Sequence, residues 1–181
     1  MRAFAFALLG SILFSGFHIA CAEPEPVVEG TLRSASFVTN DIDACIAFYS
    51  QLLGYAVIGD SIISAGKSRQ VVGATGDRKV TRYVSMAPKG WTIENQDLRA
   101  GVSFIEIEGA APSPFDQDGA RPSRAGELVL AHRVTNIEDI ARRAEALGTP
   151  IVAPLGKSGS GKSMSMAVLD PNGVRVEMYE Y

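Results

Sequence analysis

Near the end of the chain Arg175, Glu177 and Tyr179 alternate with Val174, Val176 and Met178. In a strand, that spacing puts a guanidinium, a carboxylate and a phenol on one face and three apolar side chains on the other. The apolar face would pack on a helix. The polar face is left either to hold a ligand or to form a structural ion pair between Arg175 and Glu177. A second chemistry-bearing stretch, Gly156 to Ser163, satisfies the spacing G-x-x-x-x-G-K-S, whose backbone amides cradle phosphates where the loop opens a helix. Here Ser163 to Leu169 alternates polar and apolar residues as a strand does, and Pro154 precedes the loop. The segment therefore reads as a Gly-Ser hairpin loop, compatible with a small anion near Lys157 and Lys162 but not with a nucleoside triphosphate site. Cys45, between Ile42 and Ile46 on the apolar side of a helix, reads as a small buried hydrophobe rather than a reactive thiol.

The elements that must position these residues follow one pattern twice. Leu32 to Thr39 reads as a strand, followed by Asn40 and Asp41 as capping candidates. A helical face follows at Ile42, Cys45, Ile46, Tyr49, Leu52 and Leu53, and Gly54 is suited to end it. Tyr55 to Ile63, Val80 to Met86 and Val102 to Glu108 are compatible with strands. The second copy runs from a strand at Glu127 to Val134, through a cap at Asn136, to a helix with Ile137, Ile140, Ala141, Ala144 and Leu147 on one face, closed by Gly148. Strands are then expected at Thr149 to Ala153, Ser163 to Leu169 and Val174 to Tyr179, the last two joined by a turn at Asp170-Pro171-Asn172-Gly173. Each copy has the order βαβββ. Gly109 to Gly126, rich in Pro, Ser, Gly and Asp, suits a link between two modules, 32–108 and 127–181. Ser61 to Thr81 is a long connection containing Gly, Lys and Arg.

The N-terminus has a different character. Arg2 precedes an apolar run from Phe4 to Ile19, shorter than the ~20 residues of a membrane span, and Ala20-Cys21-Ala22 offers small side chains around a cleavage bond. Residues 1–22 are therefore expected to be a cleavable signal peptide. Glu23-Pro24-Glu25-Pro26 cannot continue a helix and opens a short lead, 23–31. Lipid attachment at Cys21 is the alternative, disfavoured by His18 where such signals carry Leu. The expected product is exported, periplasmic or secreted, without a stable membrane span. The chain has 17 basic and 20 acidic residues, in no long runs of one sign, which gives no footprint for nucleic acid. Removing the leader also removes Cys21, so Cys45 has no internal disulfide partner.

Two segments together carry a resemblance: Asp41-Ile42-Asp43-Ala44-Cys45-Ile46-Ala47-Phe48-Tyr49 running to Leu53-Gly54-Tyr55, and Leu169-Asp170-Pro171-Asn172-Gly173-Val174-Arg175-Val176-Glu177. In order and spacing the chain resembles the vicinal oxygen chelate superfamily of glyoxalases, bleomycin-resistance proteins and extradiol dioxygenases. The resemblance implies an α+β fold of two βαβββ modules forming a shared cleft, but fold alone implies no reaction. Enzymes of that family bind a divalent metal through one residue on the first strand and one on the fourth strand of each module, typically His and Glu. Carried over, those positions are Ser34, Glu106, Val129 and Glu177. Both carboxylates are present and both imidazoles are absent, so a transition metal would lack its nitrogen donors. His132 stands three residues from Val129 and should face the opposite way, under the helix. Within the resemblance Ile105 and Ile107, like Val176 and Met178, are expected on the helix-covered side, which sends Glu106 and Glu177 into the same cleft with Arg175 beside them. Two such carboxylates would repel, raising one pKa or recruiting a cation.

The ligand-binding candidates are then Ser34, Ser36, Glu106, Arg175, Glu177 and Tyr179, with no catalytic residue assignable. No cofactor is expected, and a divalent metal is disfavoured, with Glu106 and Glu177 its only weak candidates. The leading expectation is a small-molecule-binding protein, as bleomycin-resistance proteins are without a metal. The alternative is a divergent glyoxalase, lyase or dioxygenase-like metalloenzyme using Glu106 and Glu177. An interaction module of the cell envelope is a third, and a homodimer is compatible with all of them.

Overall fold

A computed structural model describes residues 34–63, 74, 79–90, 101–111, 122–123 and 125–181. The expected signal peptide, the lead to Arg33 and most of the two long connections lie outside the described residues. Within them, the first module consists of β1 (Ser34–Thr39), α1 (Ile42–Leu53), β2 (Tyr55–Ser61), β3 (Val80–Pro88) and β4 (Gly101–Ile107). The second consists of β5 (Val129–Arg133), α2 (Ile137–Ala146), β6 (Ile151–Lys157), β7 (Met164–Leu169) and β8 (Arg175–Glu180). Each forms a four-stranded sheet, in the orders β1-β4-β3-β2 and β5-β8-β7-β6. The first and fourth strands of each module run parallel, and the other pairs are antiparallel.

The step from strand to helix is the same in both modules, Ser34 to Ile42 and Val129 to Ile137, so Ser34 and Val129 are structural counterparts. That register leaves the Val-Thr-Asn tripeptides at 38–40 and 134–136 one residue out of step. Local chemistry sets the helix ends. The Asp41 side chain accepts from the Ala44 N–H at 2.8 Å, and Gly54 ends α1 at φ 70°, a conformation that disfavours a Cβ. The second helix departs from expectation, because Asn136 sits at φ 61° and makes no side-chain cap. Instead the Glu180 carboxylate, from the far end of the module, accepts from the N–H groups of Asn136 at 2.8 Å and Ile137 at 2.9 Å. Those two donors would otherwise lack a helical partner.

A single apolar core runs through both modules. Ile42, Cys45, Tyr49 and Leu52 of α1 pack with Val84, Met86, Val102 and Phe104, and the same cluster continues into Ile137, Ile140, Met166, Val168, Val176 and Met178. Polar contacts cross with it. The turn at Asp170 is closed by its own carboxylate, whose Oδ1 accepts from the N–H of Asn172 at 2.8 Å and of Val174 at 2.9 Å. Oδ2 accepts from the Tyr49 hydroxyl of α1 at 3.2 Å, and Asn172 Nδ2 donates to Cys45 Sγ at 3.3 Å. Burial pushes the Cys45 thiol up to about 11. The phosphate-loop-like stretch forms the β6–β7 hairpin, closed by Ser158 N–H to Ser163 O at 2.8 Å and Gly161 N–H to Ser158 O at 2.8 Å. A strand follows it, not a helix. Among the described residues no helix is long and apolar enough to cross a membrane.

Candidate functional site

Strand register decides which side chains share a face. In the second sheet Val176, Met178, Met166 and Val168 belong to the core with α2. Arg175, Glu177 and Tyr179 therefore occupy the face turned away from the helices. Glu177 pairs with Ala131 on one side and Ala167 on the other, and Ala167 pairs with Ala153, so its carboxylate stands in a row of short side chains. The flanking row carries Arg133 and Tyr179. Tyr181 packs edge-on to Tyr179 at 5.5 Å, with the Arg133 guanidinium 5.8 Å from the Tyr181 ring centre.

The first sheet corrects the sequence reading of β4. Val102 and Phe104 pack on the helix side, whereas Ile105 and Ile107 join Val80 and Ala74 in a second cluster, with Ile63, Tyr83 and Ala110 against it. By parity Glu106 lies on the same side as Val102 and Phe104, where Thr81 Oγ1 donates to its Oε2 at 2.6 Å. Glu106 and Glu177 thus occupy opposite kinds of face. The reason is that both faces of β4 are buried, so neither set of apolar residues marks the helix side.

Register also identifies the true counterpart of Glu177. Since Ser34 corresponds to Val129, and these pair with Gly101 and Arg175, the position two further along is Ser103 in one module and Glu177 in the other. Ser103 is 1% exposed and sits at a junction of hydroxyls. Its Oγ lies 3.0 Å from Ser34 Oγ and 3.2 Å from Ser85 Oγ, and the Tyr83 hydroxyl donates to it at 3.2 Å. Ser36, exposed, pairs with Ser103 on the same face. Sequence reasoning selected Ser34 and Ser36 but missed Tyr83, Ser85 and Ser103. Their signal, hydroxyls of one parity on three strands, becomes visible only once the strands are paired.

The residues carried over from the metal-binding relatives do not make a metal donor set. Ser34 offers a hydroxyl already bonded to Ser103, Val129 offers none, and Glu106 is on the other side of its sheet. The one histidine beyond the N-terminal segment, His132, is on the core side, where its Nδ1 is 3.0 Å from the Tyr55 hydroxyl and its ring meets Tyr55 edge-on at 5.8 Å. Its Nε2 is buried with no partner among the described residues, and burial lowers its pKa, favouring the neutral ring. Among the described residues no three His, Cys, Asp or Glu side chains come together in a group able to hold a metal.

Two βαβββ modules on one core, with a polar site on the sheet faces turned from the helices, define a paired-module protein of the glyoxalase type. The profile of the Glyoxalase/Bleomycin resistance protein/Dioxygenase superfamily matches residues 31–178, and the chain belongs to that family. Solved structures agree at the level of the fold. A glyoxalase family protein from Bacillus cereus is 18% identical, with a TM-score of 0.62 over 84% of this chain and 96% of that one. A glyoxylase/bleomycin resistance protein/dioxygenase domain from Frankia is 15% identical, TM-score 0.55, over 85% and 98%. The trypanothione-dependent glyoxalase I of Leishmania major is 15% identical, TM-score 0.52, over 84% and 87%. Among curated proteins none matches the chain in sequence.

Proposed function

We propose that this chain is an exported, metal-independent small-molecule-binding protein of its superfamily, which holds a ligand against the sheet faces turned away from the helices. The observation that carries the reading is the donor set. Where metal-dependent relatives place imidazole and carboxylate in each module, this chain has the hydroxyl pair Ser34 and Ser103 in one and Val129 beside Glu177 in the other. Borderline transition metals require nitrogen or sulfur donors for tight binding, while hydroxyls, a carboxylate, a guanidinium and tyrosine rings are the usual means of orienting an organic ligand. The leader-like residues 1–22 support export.

Metal analysis of protein purified from its native compartment tests the reading, together with calorimetry using nickel and zinc. Substoichiometric metal and no strong binding are expected. Stoichiometric metal that is lost in Glu177→Gln would overturn it and put glyoxalase-, lyase- or dioxygenase-like chemistry in its place.

A further inference from the structure

Proton counting around Ser103 gives the first-module site a definite chemistry. A serine hydroxyl has one proton to donate and two lone pairs to accept with, so three partners saturate Ser103. Tyr83 donates to it. Of Ser34 and Ser85, one must donate to Ser103 and the other must accept from it. The one that accepts keeps its own proton. If that is Ser34, the acceptor nearby is the carbonyl of the next residue, Ala35, at 3.4 Å, long for such a bond. If it is Ser85, no acceptor stands within reach among the described residues. Either way the cluster presents one available proton amid several uncommitted lone pairs.

The surroundings are apolar on one side and open on the other. The next row on the same face is Val38, Ile105 and Tyr83, roughly 7 Å along the strands. That end is walled by Ala74, 3% exposed, with Ile63 and Ala110. To the side, in the row of Ser103 and Ser85 itself, Gly59 of β2 pairs with Ser85, and a Cβ there would meet only the Ser85 Cβ, at 4.0 Å, among the described residues. No Asp, Glu, Lys or Arg is among the described residues on this face of β1 to β4, whereas the corresponding face of the second sheet carries Arg133, Arg175 and Glu177. Among the described residues a charged ligand group at the hydroxyls would find no countercharge on this face to offset its desolvation.

We propose that Ser34, Tyr83 and Ser85, held together by the buried Ser103 hydroxyl, form the polar anchor for an uncharged ligand that presents an acceptor and a donor together, a carboxamide or lactam, with its apolar body lying on the exposed Val38 and the Tyr83 ring. The proposal rests on the binding reading above and names its ligand class. Benzamide matches it, while benzoate offers only negatively charged acceptors to a cluster of lone pairs and benzylammonium offers only donors on a cation.

The experiment is a nitrogen-15 NMR titration of the protein with each of the three probes. Benzamide is expected to shift the amide signals of Ser34, Ser85 and Ser103 and to bind there at least several-fold more tightly than the two ions. Ser34→Ala and Ser85→Ala are each expected to weaken it roughly three- to tenfold, and Ser158→Ala, in the β6–β7 hairpin, not at all. Equal or tighter binding of benzoate or benzylammonium at the same signals overturns the ligand class. Benzamide shifts confined to Arg133, Glu177 and their neighbours, or none anywhere, overturn the site. None of these results touches the metal analysis, whose failure would instead overturn the binding reading itself.

Discussion

Tyr49→Phe isolates one bond that ties the two modules together. Tyr49 is 0% exposed, and its ring packs against Phe48 at 4.9 Å and Phe104 at 5.2 Å, contacts that phenylalanine keeps. The hydroxyl donates to Asp170 Oδ2 at 3.2 Å. A hydrogen bond to a charged group is worth about 1.5–3 kcal/mol, and this one is longer than the usual O–H···O distance. Oδ1 also keeps its two backbone donors. The expected loss is therefore about 1–2 kcal/mol, or roughly 2–8 °C in Tm for a chain of this size. Burial raises the Asp170 pKa above its ordinary 3.8, so its charged form opposes folding and acidification through the folded pKa adds stability. The effect of Tyr49→Phe should accordingly shrink once Asp170 is protonated. Urea unfolding at neutral and acidic pH measures both effects, and a cycle with Asp170→Asn measures the coupling, expected to be at least about 0.5 kcal/mol. A Tyr49→Phe protein as stable as the parent, or an Asp170→Asn effect equal in both backgrounds, would refute the reasoning.

His132, its pKa held below 6.5 by burial, should contribute stability that is fully present above 6.5 and lost as pH falls from there through the lower folded pKa, by no more than about 1.4 kcal/mol per pH unit. His132→Gln should flatten that slope, and an imidazole titrating at or above 6.5 by NMR would contradict the account. Glu180, its pKa lowered by the Ile137 and Asn136 N–H groups, should hold the start of α2 above its unfolded pKa and release it as pH falls through the folded one. In Glu180→Gln, hydrogen exchange at Ile137 to Ile140 is expected to quicken at neutral pH, and unchanged exchange would remove Glu180 as the cap. With its thiol pushed up to about 11, Cys45 is expected to be inert to a disulfide reagent at pH 8 until urea unfolds the chain; reaction in the folded state would show that the burial argument fails. Mass spectrometry of exported protein is expected to give Glu23 as the first residue, and a diacylglycerol-modified Cys21 would show the lipid route instead.

The sequence by itself determined the elements that rest on local chemistry. Helix α1 lies between Asp41 and Gly54, the last turn sits at Asp170 to Gly173, and the face of Arg175, Glu177 and Tyr179 was legible because only one side of β8 is apolar. Two βαβββ modules followed from the order of these local signals, and the family from the resemblance carried by residues 41–55 and 169–177. Tertiary structure alone decided three things. Val102 and Phe104 form one apolar set on β4 and Ile105 and Ile107 another, and a strand covered on both faces carries no alternation to say which set meets the helix. Glu106 went to the wrong face for that reason. Glu180 caps α2 from the opposite end of the module, a contact that no spacing near Asn136 announces. The hydroxyl cluster exists only because β1, β3 and β4 are aligned so that Ser34, Ser85 and Ser103 converge, and pairing between strands distant in sequence is set by the packing of the whole core.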